Sequence, residues 1–139
     1  MSFASTIQNI ANQAGLKVIT QNDDYVQAGF NLGEDRTQLV HMMPAGDLAG
    51  KAVVRISTPV AKLPGGGFPQ GVAEGLLKEN GSFKIGSFNI VEQGADRLLM
   101  FGHNMLLEDL APGEFEIVVR VLASTGDEWE KKLSQGDSF

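Results

Sequence analysis

The last third of the chain most constrains what it can fold into. Phe115, Val118, Val119, Leu122, Gly126, Trp129 and Leu133 fall at offsets of 3, 4, 7, 11, 14 and 18 residues, one stripe of a long amphipathic helix. Such a helix takes most of its stability from a surface that covers its apolar face. Pro112 suits its first turn, and Asp127/Lys131 and Glu128/Lys132 are i,i+4 pairs that support it by about 0.3 kcal/mol each.

The surface it needs is found upstream, where the periodicity shifts from 3.6 to 2. Leu16 to Gln21, Tyr25 to Leu32, Thr37 to Met43 and Lys51 to Thr58 read as strands, with Val26, Ala28, Phe30 and Leu32 sharing one face of the second. Asn22-Asp23-Asp24 and Gly33-Glu34-Asp35-Arg36 are short turns, which implies an antiparallel meander. Pro44 to Gly50 reads as a loop. Ahead of the strands, Phe3, Ile7, Ile10, Ala11 and Ala14 mark a helix that Gly15 stops, capped either by Ser5 with Gln8 or by Ser2. Its narrow, alanine-rich face suits a sheet surface or a subunit seam.

Pro64-Gly65-Gly66-Gly67-Phe68-Pro69-Gln70-Gly71 is a flexible connector into a short helix from Gln70 to Asn80. Ser82 to Glu92 is extended, but its apolar phase slips between Phe83/Ile85 and Phe88/Ile90, which predicts a bulge or bend at Gly86. Gln93 to Asp96 turns into a strand from Arg97 to Leu106. The order is α-βββ(β)-α-ββ(β)-α, an α+β fold with helices on one face of a twisted antiparallel sheet. A length of 139 residues suits one domain, assigned to residues 1–133 with a flexible tail at 134–139.

Charge and composition exclude several functions. The net charge is −6, and residues 108–139 alone carry −5, while the bases upstream are scattered. Nucleic-acid binding, which needs a clustered basic face, is not expected. Without cysteine there is neither a disulfide framework nor a thiolate metal site. No apolar run approaches the roughly 20 residues of a membrane span. The first residues lack the basic region and apolar run of a signal peptide. The expectation is a cytoplasmic protein that does not insert into membranes.

Chemistry-bearing residues are few. His41 and His103 stand in strand patterns, and catalytic zinc usually takes three protein ligands, so each reads as a satisfied or surface imidazole. Ser57 and Ser87 have no motif-spaced base. Asp23-Asp24, Glu34-Asp35 and Glu108-Asp109 read as solvated turns. The glycines from Gly65 to Gly71 precede a helix as anion-binding loops do. They lack the Lys-Ser or Lys-Thr pair of a phosphate loop, however, and the nearest base, Lys62, comes before them. Trp129 is either a cap on the core or an interface anchor. Ile117 and Val121 form a second apolar row on the last helix, an excess suited to a homodimer interface. No cofactor, metal or catalytic group is expected.

The runs Leu76-Leu77-x-x-Asn80, Phe83-Lys84-Ile85-Gly86-x-Phe88-x-Ile90, Leu98-x-Met100-Phe101, Leu106-Leu107-x-x-Leu110 and Asp127-x-Trp129-Glu130 resemble a known pattern. It is that of the type III secretion chaperone-like fold and of its bacterial relatives in the YbjN-like group of sensory transduction regulators. The resemblance implies a small acidic dimer without catalysis, and its chaperone branch holds an extended segment of a secreted protein. The expected function is therefore a non-catalytic module that holds a polypeptide segment of a partner, with Val72, Leu76 and Leu77 as the contact surface. The acidic last helix makes a basic or neutral client the expectation. The alternatives are a regulatory or scaffolding homodimer of the same fold without a client, and a small-ligand or anion-binding protein using Gly65 to Gly71.

Overall fold

Period-two alternation of buried and exposed side chains sorts this chain into layers. In the computed structural model, which describes residues 2–33, 36–63, 65 and 67–135, the described elements are three helices and six strands. In chain order they are α1 (Phe3–Ala14), β1 (Ile19–Asn22), β2 (Tyr25–Asn31), β3 (Thr37–Leu48), β4 (Lys51–Lys62), α2 (Val72–Asn80), β5 (Ser87–Gln93), β6 (Asp96–Leu106) and α3 (Pro112–Gln135). The strands form one antiparallel sheet in the order β1-β2-β3-β4-β6-β5. After β4 the chain crosses through α2 to the edge, lays down β5, and returns as β6 beside β4. This is the α+β architecture expected, with its helices in the expected order.

Val26, Ala28, Val40, Met42, Val54, Ile56, Leu99 and Phe101 form the covered face of the sheet and are buried. Over them lies α3, whose Phe115, Val118, Val119, Leu122 and Leu133 are the apolar stripe of the sequence. Helix α1 packs on α3 and β2, with Ser2 as its N-cap and Gly15 as a left-handed C-cap. Helix α2 sits beside β5. There the Asn80 side chain pairs with the backbone of Phe88, accepting from its N–H at 2.7 Å and donating to its carbonyl at 3.3 Å. A helix side chain thus occupies hydrogen-bonding groups of an edge strand that a neighbouring chain would otherwise compete for.

The slip at Gly86 is a bend. With φ at +89°, a Cβ there would strike the Phe101 ring, so only glycine fits. The bend brings Phe83 and Phe88 together on Phe101, with ring centroids 4.9 to 5.7 Å apart in edge-to-face contacts. Each such pair contributes about 1 kcal/mol beyond its area burial. Trp129 completes the cluster edge-on to Phe88 at 5.2 Å, with the Lys132 ammonium over its ring, so it closes the core under the last helix.

Several boundaries differ from the sequence reading: β1 begins at Ile19 instead of Leu16, α2 at Val72 instead of Gln70 and β5 at Ser87 instead of Ser82, and three further differences have a visible cause. Pro44 to Leu48 belongs to β3 instead of a loop, because a bulge between Pro44 and Asp47, with Gly46 at φ +76°, absorbs the turn-forming residues. The hairpin turn shrinks to Ala49-Gly50, both at positive φ. Strand β4 runs on past Thr58 through Pro59, which has no N–H for its neighbour β3. The buried Thr58 hydroxyl donates to the Leu39 carbonyl instead, and the buried Gln38 amide donates to Thr58 Oγ1 and to the Pro59 carbonyl at 2.6 and 2.9 Å. Lastly, α3 includes Ser134 and Gln135. Residues 136–139 of the expected tail, Pro64 and Gly66 of the glycine run, and the pair Glu34-Asp35 lie outside the described residues.

Candidate functional site

The segments read as binding elements lead to two apolar surfaces. The first is a groove where α2 meets the sheet edge. Helix α2 presents one residue inward and the next outward: Leu76 is 6% exposed and Leu77 is 70% exposed. Between the helix and β5 lies a depression of about 250 Å³, bordered by Phe68, Leu76, Leu77, Phe88, Ile90 and Leu99. Val72 is half-buried against the core. Of the three residues read as a contact surface, only Leu77 is freely presented. Leu76 anchors the helix, and Ile90, 43% exposed, joins Leu77 from β5. Ile90 lay in view as the last apolar residue of the Phe88-x-Ile90 alternation, but periodicity alone does not show which strand is an edge.

The second surface is the outer side of α3. Ile117 is 56% exposed, and Val121 lies one turn on, half-exposed, in a shallow depression it shares with Phe30 and Leu32. Around it the helix charges are paired. Glu116 accepts from Arg120 at 2.8 Å, and Glu128 meets Lys132 at 3.3 Å. Asp127 binds Arg36 as well as Lys131, so an ion pair ties the approach to β3 onto α3 across 91 residues of chain. Nothing in the sequence pattern pointed to that pair. Burial and the neighbouring Asp127 push the Glu130 carboxyl above its usual range, against an opposing pull from Arg36.

The two histidines lie on opposite faces of the sheet. His41 is on the uncovered face, where its Nδ1 is hydrogen-bonded to the Tyr25 hydroxyl, and burial pushes its pKa below 6.5. His103, on the covered face, accepts the Gly86 N–H at 3.2 Å through Nδ1. Its pKa too lies below 6.5, through burial and then the Arg55 charge. Ser57 is the cross-strand neighbour of His41, but the imidazole partner is a phenol and not a carboxylate, so this group lacks the orienting acid of a nucleophilic triad. Among the described residues no three histidines or acids converge as a metal-binding group. Beside the glycine run, Lys62 pairs with Asp96 at 3.2 Å, and Phe68 borders the apolar groove. Asp23, Asp24, Glu108 and Asp109 are exposed turn residues. No helix of the described residues is long and apolar enough to cross a membrane.

No protein-family model and no curated protein matches the chain. Its fold is similar to a solved structure, that of the ExsC–ExsE complex, with a TM-score of 0.58 and 17% sequence identity over 94% of this chain and 96% of that one.

Proposed function

We propose that this chain is a non-catalytic module that holds a polypeptide segment of a partner in the groove between α2 and β5. The observation that carries the reading is the pairing of Leu77 and Ile90 over a depression whose floor is Leu76, Phe88 and Leu99. An apolar groove beside an edge strand is a common way for a domain to take up another chain. The likeness of fold to the ExsC–ExsE complex, in which two proteins are held together, supports it, as does the resemblance of Leu76 to Glu130 to the secretion-chaperone pattern. On this reading the protein works in the cytoplasm.

We assign the second surface to self-association. Ile117 and Val121 are apolar, adjacent on α3 and flanked by paired charges, which suits an isologous contact in a homodimer. Light scattering should give twice the chain mass at micromolar concentration, and Ile117→Arg should give the single chain. A wild-type monomer would overturn this assignment. If the groove were instead filled by the dimer mate, the chain would be a regulatory or scaffolding dimer without a client.

Leu77→Asp tests the groove. The position is so exposed that the change should move stability by no more than about 0.5 kcal/mol. Leu76→Asp would not serve, because an unpaired carboxylate in the core unfolds the chain. Partner recovery from an extract of its native cells should fall at least tenfold with Leu77→Asp. A folded variant that recovers the same proteins as wild type would refute the reading.

A further inference from the structure

The face of the sheet that none of the described helices covers carries a trough of about 450 Å³, running diagonally from Met43 on β3 to Val91 on β5. At its centre is Arg55, the one base in the run from Val53 to Thr58. The guanidinium lies over Gly102 of β6, where an added Cβ would come within 2.6 Å of Nη2 and 2.8 Å of Cζ. Glycine at that position is what leaves room for the guanidinium. Nη2 donates to Asn89 Oδ1 at 2.6 Å and Nη1 to Asn104 Oδ1 at 3.2 Å. The group is therefore half-buried and fixed in place by two neutral amides. Among the described residues none of the ion pairs involves it and no acidic side chain lines the trough.

Buried charges are ordinarily paired. Here two neutral amides hold the cation, and among the described residues no carboxylate pairs with it. Burial lowers the pKa of both Arg55 and His41, which disfavours charge on the imidazole, while a guanidinium stays protonated in proteins, so Arg55 is the charge that an approaching group meets. Apolar side chains flank it, with Met43 40% and Val91 38% exposed. Counting strand and residue steps between those two gives a trough on the order of 20–25 Å long, the span of about seven extended residues. A small acid would leave most of it empty.

We propose that this trough binds an extended polypeptide through an acidic side chain, with the carboxylate on Arg55 and apolar neighbours of that residue on Met43 and Val91. This rests on the polypeptide-binding reading and adds a second contact on the opposite face from α3. It also revises the expectation of a basic or neutral client: the acids of α3 lie behind the sheet, and the uncovered face selects the opposite sign.

The test is a nitrogen-15 NMR titration of the full chain with a pool of acetylated, amidated heptapeptides. These carry glutamate at the centre, leucine, valine or isoleucine at both ends, and serine or threonine elsewhere. A glutamine-centred pool and free acetate are titrated alongside. The glutamate pool should shift the Arg55 side chain and the Asn89 and Gly102 amides, with binding about tenfold or more tighter than the glutamine pool. Arg55→Gln should abolish that difference. Equal binding of the two pools, or equal shifts with acetate, would overturn the proposal. Shifts confined to Leu77 and Ile90 would also overturn it and leave the α2 groove standing. No shift anywhere would count against both.

Discussion

Replacing Gly126 with alanine sets two effects of opposite sign against each other. Gly126 is in the interior of α3, where glycine is about 1 kcal/mol worse than alanine. Propensity alone predicts a gain of that size. But α3 crosses β4 at this point, and a Cβ on Gly126 would lie 2.5 Å from Thr58 Cγ2 and 3.3 Å from Gln38 Nε2. Thr58 cannot swing aside freely, because its hydroxyl donates to Leu39 and accepts from Gln38 in the buried network that replaces the missing Pro59 N–H. Either the helix lifts, an overpacking cost of about 1–3 kcal/mol, or the network breaks, at about 1–3 kcal/mol for each buried group left unpaired. The clash offsets the propensity gain and more, and the net effect is a loss of up to about 2 kcal/mol. At roughly 3–4 °C per kcal/mol for a chain of this size, the melting temperature falls by up to about 8 °C. Thr58→Ser removes the offending methyl and keeps the hydroxyl. Alone it costs about 1 kcal/mol, but beside Gly126→Ala it should restore stability, giving a coupling of at least about 1 kcal/mol in the double-mutant cycle. The assay is urea denaturation of the four proteins. A Gly126→Ala variant more stable than wild type, or a cycle with no coupling, would refute the crossing geometry.

Gly75 in α2 is the matching control: a Cβ there meets nothing within 4 Å, so Gly75→Ala should stabilise by about 0.5–1 kcal/mol in the same assay. The histidines predict a pH dependence. Both have folded pKa values below 6.5, so the folded chain holds fewer protons than the unfolded chain just under that pH. Their contribution is complete above pH 6.5 and is lost as the pH falls from there toward the folded values. NMR titration should place both imidazole midpoints below 6.5; midpoints above that value would contradict the burial of His41 and His103.

The elements legible in the sequence were those whose periodicity matched their environment. Helix α3 and β2 each have one covered face, so the burial pattern repeats in the residue pattern, and the slip around Gly86 was visible because a bend breaks that repeat. The β3–β4 hairpin was harder to read. Pro44, Gly46 and Pro59 signal turns locally, yet a bulge between Pro44 and Asp47, an irregularity between Pro59 and Ala61 against β6 and a buried glutamine–threonine network let the strands run through them, and the true turn at Ala49-Gly50 lacks the usual asparagine or aspartate. The groove was half-legible: apolar residues at 72, 76 and 77 marked α2, but which of them faced out depended on where β5 lay. The Arg55 trough joins residues 34 to 49 positions apart. Its only traces were a base within an apolar strand and a glycine between Phe101 and His103, and neither indicates that the other is its neighbour.

The central claim is that the α2–β5 groove holds another polypeptide. A photoreactive phenylalanine analogue placed at position 77 and activated in the protein's native cells tests it most directly. The prediction is a covalent adduct between position 77 and a different protein, mapping to one continuous apolar stretch of that partner, with no adduct from the same analogue placed at the exposed Lys51. Adducts formed only with a second copy of this chain, or no adduct at all, would contradict it.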